Sequence, residues 1–471
     1  MRIHRSLVLA AALMLGGACG AQERARKLPP PAAGSIPAHG VIGMTDAQLS
    51  ADFWVGRLEQ PDRIVMQPDA IAAQNEKLLR LDDSMNDLRA LPNRMDGEAI
   101  VSAIRDLSTL SDNPLYDEAG EPVSAGTLAS LEQALDLEAV PDRAPARFGL
   151  ALRRTALRKF PTELRVFSSR GDTDIDRFQE SALFPGTPVA ILHRSRDRKW
   201  LWVASPNYQA WVLAEDIAPG SESAVLGYAG KEPFRVVSGA KVSTVFTRER
   251  PDLSELQLDM GVRIPLAGVA ADALVNGQHS YTSWVLELPV RDADGMLAFA
   301  PALLQKNQDT AGAYLPLTQA NIIRQAFKFL GERYGWGHSY NGRDCSGFVA
   351  EVYRSMGVEL PRNTRDQSIS PALDHVTFGE DDGTGPRRAE VDALQVGDLV
   401  YIPGHVMMMI GRIDGAPYVI HDTNGGSYLH ADGKMRSMRL NAVSVTPLLP
   451  LRFDETHTYV DRITSIVRIR P

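Results

Sequence analysis

Cys345 ends a glycine-punctuated run, Tyr334-Gly335-Trp336-Gly337-His338-Ser339-Tyr340-Asn341-Gly342-Arg343-Asp344, and is followed by Ser346-Gly347-Phe348. Phe348, Val349, Val352, Tyr353 and Met356 then recur at helical spacing up to Gly357, so Cys345 is expected at a helix N-terminus. There the free N–H groups and the positive end of the helix dipole stabilise a thiolate, the nucleophilic form of the side chain. A thiolate still needs a base, and an imidazole base needs a third group to orient it. His405 opens a strand directly after the turn Pro403-Gly404 and is the candidate base. His421 ends the strand Tyr418-Val419-Ile420-His421 and is the candidate orienting residue, with Asp422 and Asn424 as rivals. The order helix-cysteine, strand-histidine, strand-polar residue suits acyl transfer through sulfur. Two other readings compete: Cys345 as a small core residue, and a zinc site from His338, His405, His421 and His430. The histidine spacing fits no zinc motif and leaves Cys345 unexplained, so no metal or cofactor is called for.

The elements that position these residues are legible around them. Thr318 can cap a helix with the apolar face Ile322, Ile323, Ala326, Phe327 and Leu330, ended by Gly331. Gly397 to Ile402 and Val406 to Gly411 read as strands, with Met407, Met408 and Met409 as strand and core residues. The polar stretch Phe378 to Arg388 is expected to be a flexible insertion. Upstream, from about 160 to 220, the period is two: Pro188–His193, Trp200–Val203, a turn at Ser205-Pro206-Asn207, then Tyr208–Val212. Short strands between turn signals suggest a small barrel. A second such stretch runs from about 225 to 305, with Val242–Thr247, Val262–Leu266 and Ser283–Leu286. Residues from about 45 to 150 read as mainly helical, with Ile71, Leu78, Leu79 and Leu81 in one helix and Ile100, Ile104 and Leu107 in another.

At 471 residues the chain is expected to hold two to four domains. Its apolar fraction of 44% and charged fraction of 23% are those of a globular protein, not a fibrous or disordered one. A net charge of −8 gives no reason to expect a nucleic-acid partner. Two cysteines exclude a disulfide scaffold and a four-cysteine zinc site. Arg2 and Arg5, the apolar Leu7 to Leu15, and Gly16-Gly17-Ala18 read as an export leader. Two endings fit it: lipidation at Cys19, or cleavage after Ala21. Either removes Cys19 from disulfide chemistry and leaves Cys345 as an unpaired thiol in an exported chain.

Taken together, Tyr-x-Trp-Gly at Tyr334 to Gly337, Asp-Cys-Ser-Gly-Phe at Asp344 to Phe348, Leu-Pro-Arg at Leu360 to Arg362 with Gln367, Gly-Asp-Leu-Val at Gly397 to Val400, and Gly-His-Val at Gly404 to Val406 resemble the NlpC/P60 family. These are bacterial cell-wall cysteine peptidases with a papain-like α+β core. The two β-rich stretches resemble bacterial SH3-like barrels through Ala210-Trp211-Val212 and Ser283-Trp284-Val285. The resemblance implies a multidomain α+β chain: leader 1–21, linker 22–44, helical domain 45–155, barrels 156–222 and 223–310, and a peptidase domain 311–471. The whole layout is similar to the γ-D-glutamyl-L-diamino acid endopeptidases, which cut peptidoglycan stem peptides. By that resemblance Cys345 is the nucleophile, His405 the base and His421 the orienting residue, while Tyr334 lines the site. It further implies that Asp344, Ser346 and the barrel residue Tyr208 bind the free amine of an N-terminal L-alanine. The implied partners are stem peptides or murein fragments, with membrane contact only through an anchor at Cys19, and the implied location is the cell envelope. A wall-binding protein, or an amidase or acyltransferase of the same fold, is the alternative. His338 departs from the family, which often has a second glycine there.

Overall fold

A computed structural model describes residues 40–470. The expected leader, with Cys19, lies outside the described residues. Among the described residues the chain divides into two compact units, one of residues 66–317 and 333–362 and one of residues 40–65, 318–332 and 363–470. The segment carrying Cys345 therefore belongs with the barrels, and the segment carrying His405 and His421 with the C-terminal sheet. No helix among the described residues is long and apolar enough to cross a membrane.

The barrel unit begins with three helices. Proline opens Pro68–Leu81, Asp96 caps Gly97–Leu107 through Glu98 N, and Ser124 caps Ala125–Ala134 through Thr127 N. Ile71, Leu78, Ile100 and Ile104 are buried as their spacing requires, whereas Leu81 is exposed. The first barrel sheet has seven strands in the order Ile217–Gly220, Arg147–Ala151, Pro188–Arg194, Trp200–Ser205, Tyr208–Leu213, Thr155–Arg158 and Gln179–Leu183. Strand alternation feeds two cores. Trp200, Trp202 and Ala204 join the core that includes Ile100 and Ile104, while Leu201 and Val203 join Leu157, Leu183 and Val212. Trp202 and Trp211 are cross-strand partners with ring centroids 5.6 Å apart, an edge contact that contributes on the order of 1 kcal/mol beyond its buried area. The barrel sheet starts at Arg147, earlier than the helical reading of residues up to 150 allowed. Gly149 permits this, since a Cβ there would lie 2.6 Å from Ile217 Cγ2.

In the second β-rich stretch the long hairpin Ser283–Arg291 and Leu297–Gln305 carries Leu286, Leu288, Ala302 and Leu304 into a core with Leu258 and Ile264. The strand expected over Val242–Thr247 is shorter, Lys241–Ser243. Regular pairing stops at Thr244: its N–H still donates to Leu256 O at 3.1 Å, but Leu256 N donates back to the Thr244 hydroxyl, which itself donates to Leu253 O.

The other unit holds a sheet in the order Asp374–Thr377, Ser465–Arg468, Leu399–Ile402, His405–Ile413, Ala416–Leu429 and Met435–Pro447, with Leu451–Arg452 also pairing Ala416–Leu429. Thr318 caps Gln319–Phe327 as expected. The stretch Phe378 to Arg388 runs from a loop into a helix. Thr384–Ala393 is a helix, Val391 is buried, and the buried Arg387 donates to Ile463 O at 2.9 Å and Gly379 O at 2.6 Å. The polar composition belongs to a surface helix whose one buried arginine satisfies loop carbonyls.

Candidate active site

Cys345 is the first residue of the helix Cys345–Arg354 and is buried. Asp344 is the N-cap: its Oδ1 accepts from Gly347 N at 2.8 Å. The same carboxylate accepts from Gly337 N at 3.0 Å, Ser346 Oγ at 3.2 Å, and Arg362 Nη1 and Nη2 at 3.1 and 2.7 Å. Burial works against its ionisation, yet the Arg362 guanidinium and these donors hold its pKa down to about 2. Ser346 Oγ also accepts from Arg362 Nη1 at 2.9 Å.

The loop before the helix is strained. His338, Tyr340 and Asn341 have φ of 67°, 55° and 57°, a conformation that costs a non-glycine residue about 1–2 kcal/mol. First-barrel residues hold it there. Gln179 Nε2 donates to Gly337 O at 2.7 Å, and Arg154 Nη2 donates to His338 O at 3.0 Å and Gly342 O at 2.6 Å. His338 occupies a defined place. Its Nδ1 accepts from Arg362 Nη2 at 3.2 Å, so the proton sits on Nε2, which donates to Glu351 Oε1 at 3.1 Å. Burial and the Arg362 charge keep this imidazole neutral, well below its ordinary pKa. Glu351 Oε2 in turn accepts from Arg343 Nε at 2.6 Å, Arg343 reaches Asp259 at 2.9 Å, and Asp259 pairs with Arg154 at 2.5 Å. Gly347 is required beneath this network, since a Cβ there would lie 2.7 Å from His338 Cε1.

Tyr208, at the start of the strand Tyr208–Leu213, donates from its hydroxyl to Glu180 Oε2 at 2.5 Å. Glu180 is half-buried; burial raises its pKa, while Tyr208 and the charges of Lys159, Arg362 and Arg158 oppose the rise. Its neighbour Ser181 accepts from Arg362 Nε at 2.7 Å. Arg362 thus ties the barrel strand Gln179–Leu183 to Asp344 and Ser346. Tyr334 is buried in the same unit, where it bridges to Arg343.

His405 lies in the other unit, paired in register with Ile402 across the Pro403-Gly404 turn. Its Nε2 is 2.8 Å from His421 Nδ1, and His421 Nε2 is 3.0 Å from Thr446 Oγ1. All three side chains are buried. Burial lowers the pKa of His405 to about 4; burial and the neighbouring His405 push that of His421 well below the ordinary range. His421, not Asp422 or Asn424, is the group hydrogen-bonded to the His405 ring. The histidines weighed as zinc ligands are engaged separately, His338 with Glu351 and Arg362, and His430 with Asp432 at 3.0 Å.

Sequence reasoning missed Glu180, Arg362 as a site residue, His338 as a structural link, and Thr446. Arg362 lay inside a recognised motif, so a signal existed. Glu180 and Thr446 carried none, because each is one polar residue in an ordinary strand.

Residues 331–446 match the NlpC/P60 family, and residues 165–213 match an SH3 domain of the SH3b1 type. The solved structure of a novel NlpC/P60 endopeptidase from Photobacterium damselae subsp. piscicida superposes with a TM-score of 0.72, covering 92% of this chain and 98% of that one at 17% identity. That likeness establishes the shared fold. Dipeptidyl-peptidase 6 of Lysinibacillus sphaericus is 26% identical over 113 residues, 24% of this chain and 35% of that enzyme. The match spans about a third of that relative's length. The chain carries an NlpC/P60 domain and an SH3 domain within a multidomain α+β fold.

Proposed function

From an NlpC/P60 domain joined to an SH3 domain, we propose a peptidoglycan cysteine endopeptidase that cuts the γ-D-glutamyl-diaminopimelate bond of stem peptides with a free N-terminal L-alanine. The observation that carries the reading is a cysteine at a helix N-terminus capped by Asp344, with Arg362 joining Asp344 to the barrel strand of Glu180, whose carboxylate accepts from the barrel tyrosine Tyr208. In this reading His405 takes the proton of the Cys345 thiol, the thiolate attacks the γ-amide carbonyl carbon, and the C–S bond forms as the carbonyl π pair moves to oxygen. The Cys345 N–H at the helix start helps hold that oxyanion. Collapse breaks the C–N bond, and His405 protonates the departing amine of the diamino acid. His405 then takes a proton from water, which adds to the thioester; the acid leaves and the thiolate returns. His421 orients His405. Tyr334 lines the cleft. Glu180 and Tyr208, with Asp344 and Ser346 behind them, meet the substrate ammonium, where a charge-assisted hydrogen bond contributes about 1.5–3 kcal/mol.

The natural site of action is the cell envelope, with Cys19 as a lipid anchor in the anchored form. The test is mass spectrometry of L-Ala-γ-D-Glu-diaminopimelate incubated with the wild type and with Cys345→Ala, beside the N-acetylated peptide. Release of diaminopimelate by the wild type alone, from the free-amine peptide alone, is expected. Cleavage of both peptides would remove the amine-binding roles; cleavage of neither by folded protein would remove the peptidase reading.

A further inference from the structure

We propose that Thr446 is a positioning residue for the base: its hydroxyl oxygen is the acceptor that lets His421 present a lone pair, not a proton, to His405. The proposal rests on the reading of His405 as the base.

Both ring nitrogens of His421 are engaged, Nδ1 with His405 Nε2 at 2.8 Å and Nε2 with Thr446 Oγ1 at 3.0 Å. A neutral imidazole carries one N–H, so the two contacts cannot both be donations from His421. The chain can run in two directions. Running outward, His405 Nε2–H donates to His421 Nδ1, and His421 Nε2–H donates to Thr446 Oγ1. The Nδ1 lone pair of His405 is then free to take a proton. Running inward, the threonine hydroxyl donates to His421, whose Nδ1–H occupies His405 Nε2. The His405 proton is then forced onto Nδ1, where it blocks the base.

Once His405 becomes an imidazolium both its nitrogens carry protons, and only the outward chain is compatible. That state needs an acceptor for His421 Nε2–H in a fully buried place, because a buried N–H without one is penalised. Thr446 supplies it. Sheet register makes this possible: His421 pairs with Ser444 and Val419 with Thr446, so Thr446 is the diagonal neighbour of His421 on the same face. A hydroxyl serves well here, because it can rotate to accept without adding a buried charge.

The test compares Thr446→Val, which keeps the branched shape and loses the acceptor, with Thr446→Ser, which keeps the acceptor. Two readouts are taken on the full chain: kcat and KM for the tripeptide, and the rate of Cys345 alkylation by iodoacetamide near neutral pH. Valine is expected to lower kcat and the alkylation rate about 10–100-fold with KM within about two-fold, milder than the loss that follows when a triad imidazole is held in the wrong tautomer. Serine is expected to restore both to within about three-fold, as the acceptor argument requires. Unchanged rates in the valine variant, or equal losses in serine and valine, would overturn the proposal. Should valine fail to fold, Thr446→Ala takes its place with the same expectations. If the wild type cleaves no peptide but its alkylation follows Thr446 in this pattern, the function reading falls and the positioning role stands. If the wild type cleaves and neither readout responds, the reverse holds.

Discussion

Replacing Asp344 by asparagine keeps the shape of the helix cap and removes its charge. The magnitude follows from the carboxyl's pKa, about 2 in the fold against an ordinary value of 3.8. A folded-state pKa below the unfolded one means that ionisation stabilises the fold above the unfolded pKa and stops doing so as pH falls through the folded pKa. A shift of nearly two units corresponds to about 2 kcal/mol at neutral pH, falling to about 1 kcal/mol near pH 3. Asparagine also strips the buried Arg362 of its ion-pair partner, and breaking a buried pair on one side costs about 3–5 kcal/mol. Arg362 keeps Ser346, Ser181 and His338, so Asp344→Asn is expected to lose about 3 kcal/mol at neutral pH. Urea unfolding followed by tryptophan fluorescence is the assay, because five of the six tryptophans lie in the unit that holds Asp344. The gap between wild type and variant should narrow by about 1 kcal/mol between neutral pH and pH 3. A gap under about 0.5 kcal/mol at neutral pH, the range of surface substitutions, would refute the reasoning. So would a gap constant with pH.

Glu180→Gln and Tyr208→Phe are expected to raise KM for the free-amine tripeptide about ten-fold or more, as loss of a charge-assisted hydrogen bond should, with kcat within about three-fold; Michaelis curves on the free-amine tripeptide check this. Gly347→Ala places a Cβ 2.7 Å from His338 Cε1 and 2.9 Å from Nε2. It is expected to destabilise by about 1–3 kcal/mol in urea unfolding and to slow Cys345 alkylation, because the helix N-terminus must shift to clear the ring.

Local patterns made much of this legible. Glycine punctuation, the spacing of Phe348, Val349, Val352 and Tyr353, and the polar Asp344 define one helix start almost alone. His405 was readable because Pro403-Gly404 fixes where its strand begins, with Gly404 at φ 77°. What escaped depends on pairing between distant segments. Glu180 matters because the strand Gln179–Leu183 runs where Arg362 can reach it, and strand alternation says nothing of which strand lies beside which arginine. Thr446 gains its place from register alone. The helical end of Phe378 to Arg388 escaped notice because a helix with few buried residues and a structural arginine has the composition of a loop. His338 looked like a lost glycine; its backbone is left-handed, the conformation that favours glycine, and its ring lies between Arg362 and Glu351.

In the proposed amine site the two carboxylates would share the work unevenly, and their donor counts set the expectation for each. An ionised carboxylate offers about four lone-pair sites. Asp344 already accepts five hydrogen bonds from Gly337, Gly347, Ser346 and two nitrogens of Arg362. An incoming ammonium would have to displace one of these donors, so in the proposed site Asp344 stands behind Glu180 and serves first the helix cap and Arg362. Glu180 accepts from the Tyr208 hydroxyl through Oε2 and is only half-buried, which leaves acceptor sites to meet a cation. Its raised pKa fits the same division, because a carboxylate still short of compensating charge gains most when an ammonium arrives. Removing charge at Asp344 should therefore register chiefly in stability, and removing charge at Glu180 chiefly in KM. The opposite pattern would return the amine-binding role to the residue beside the nucleophile.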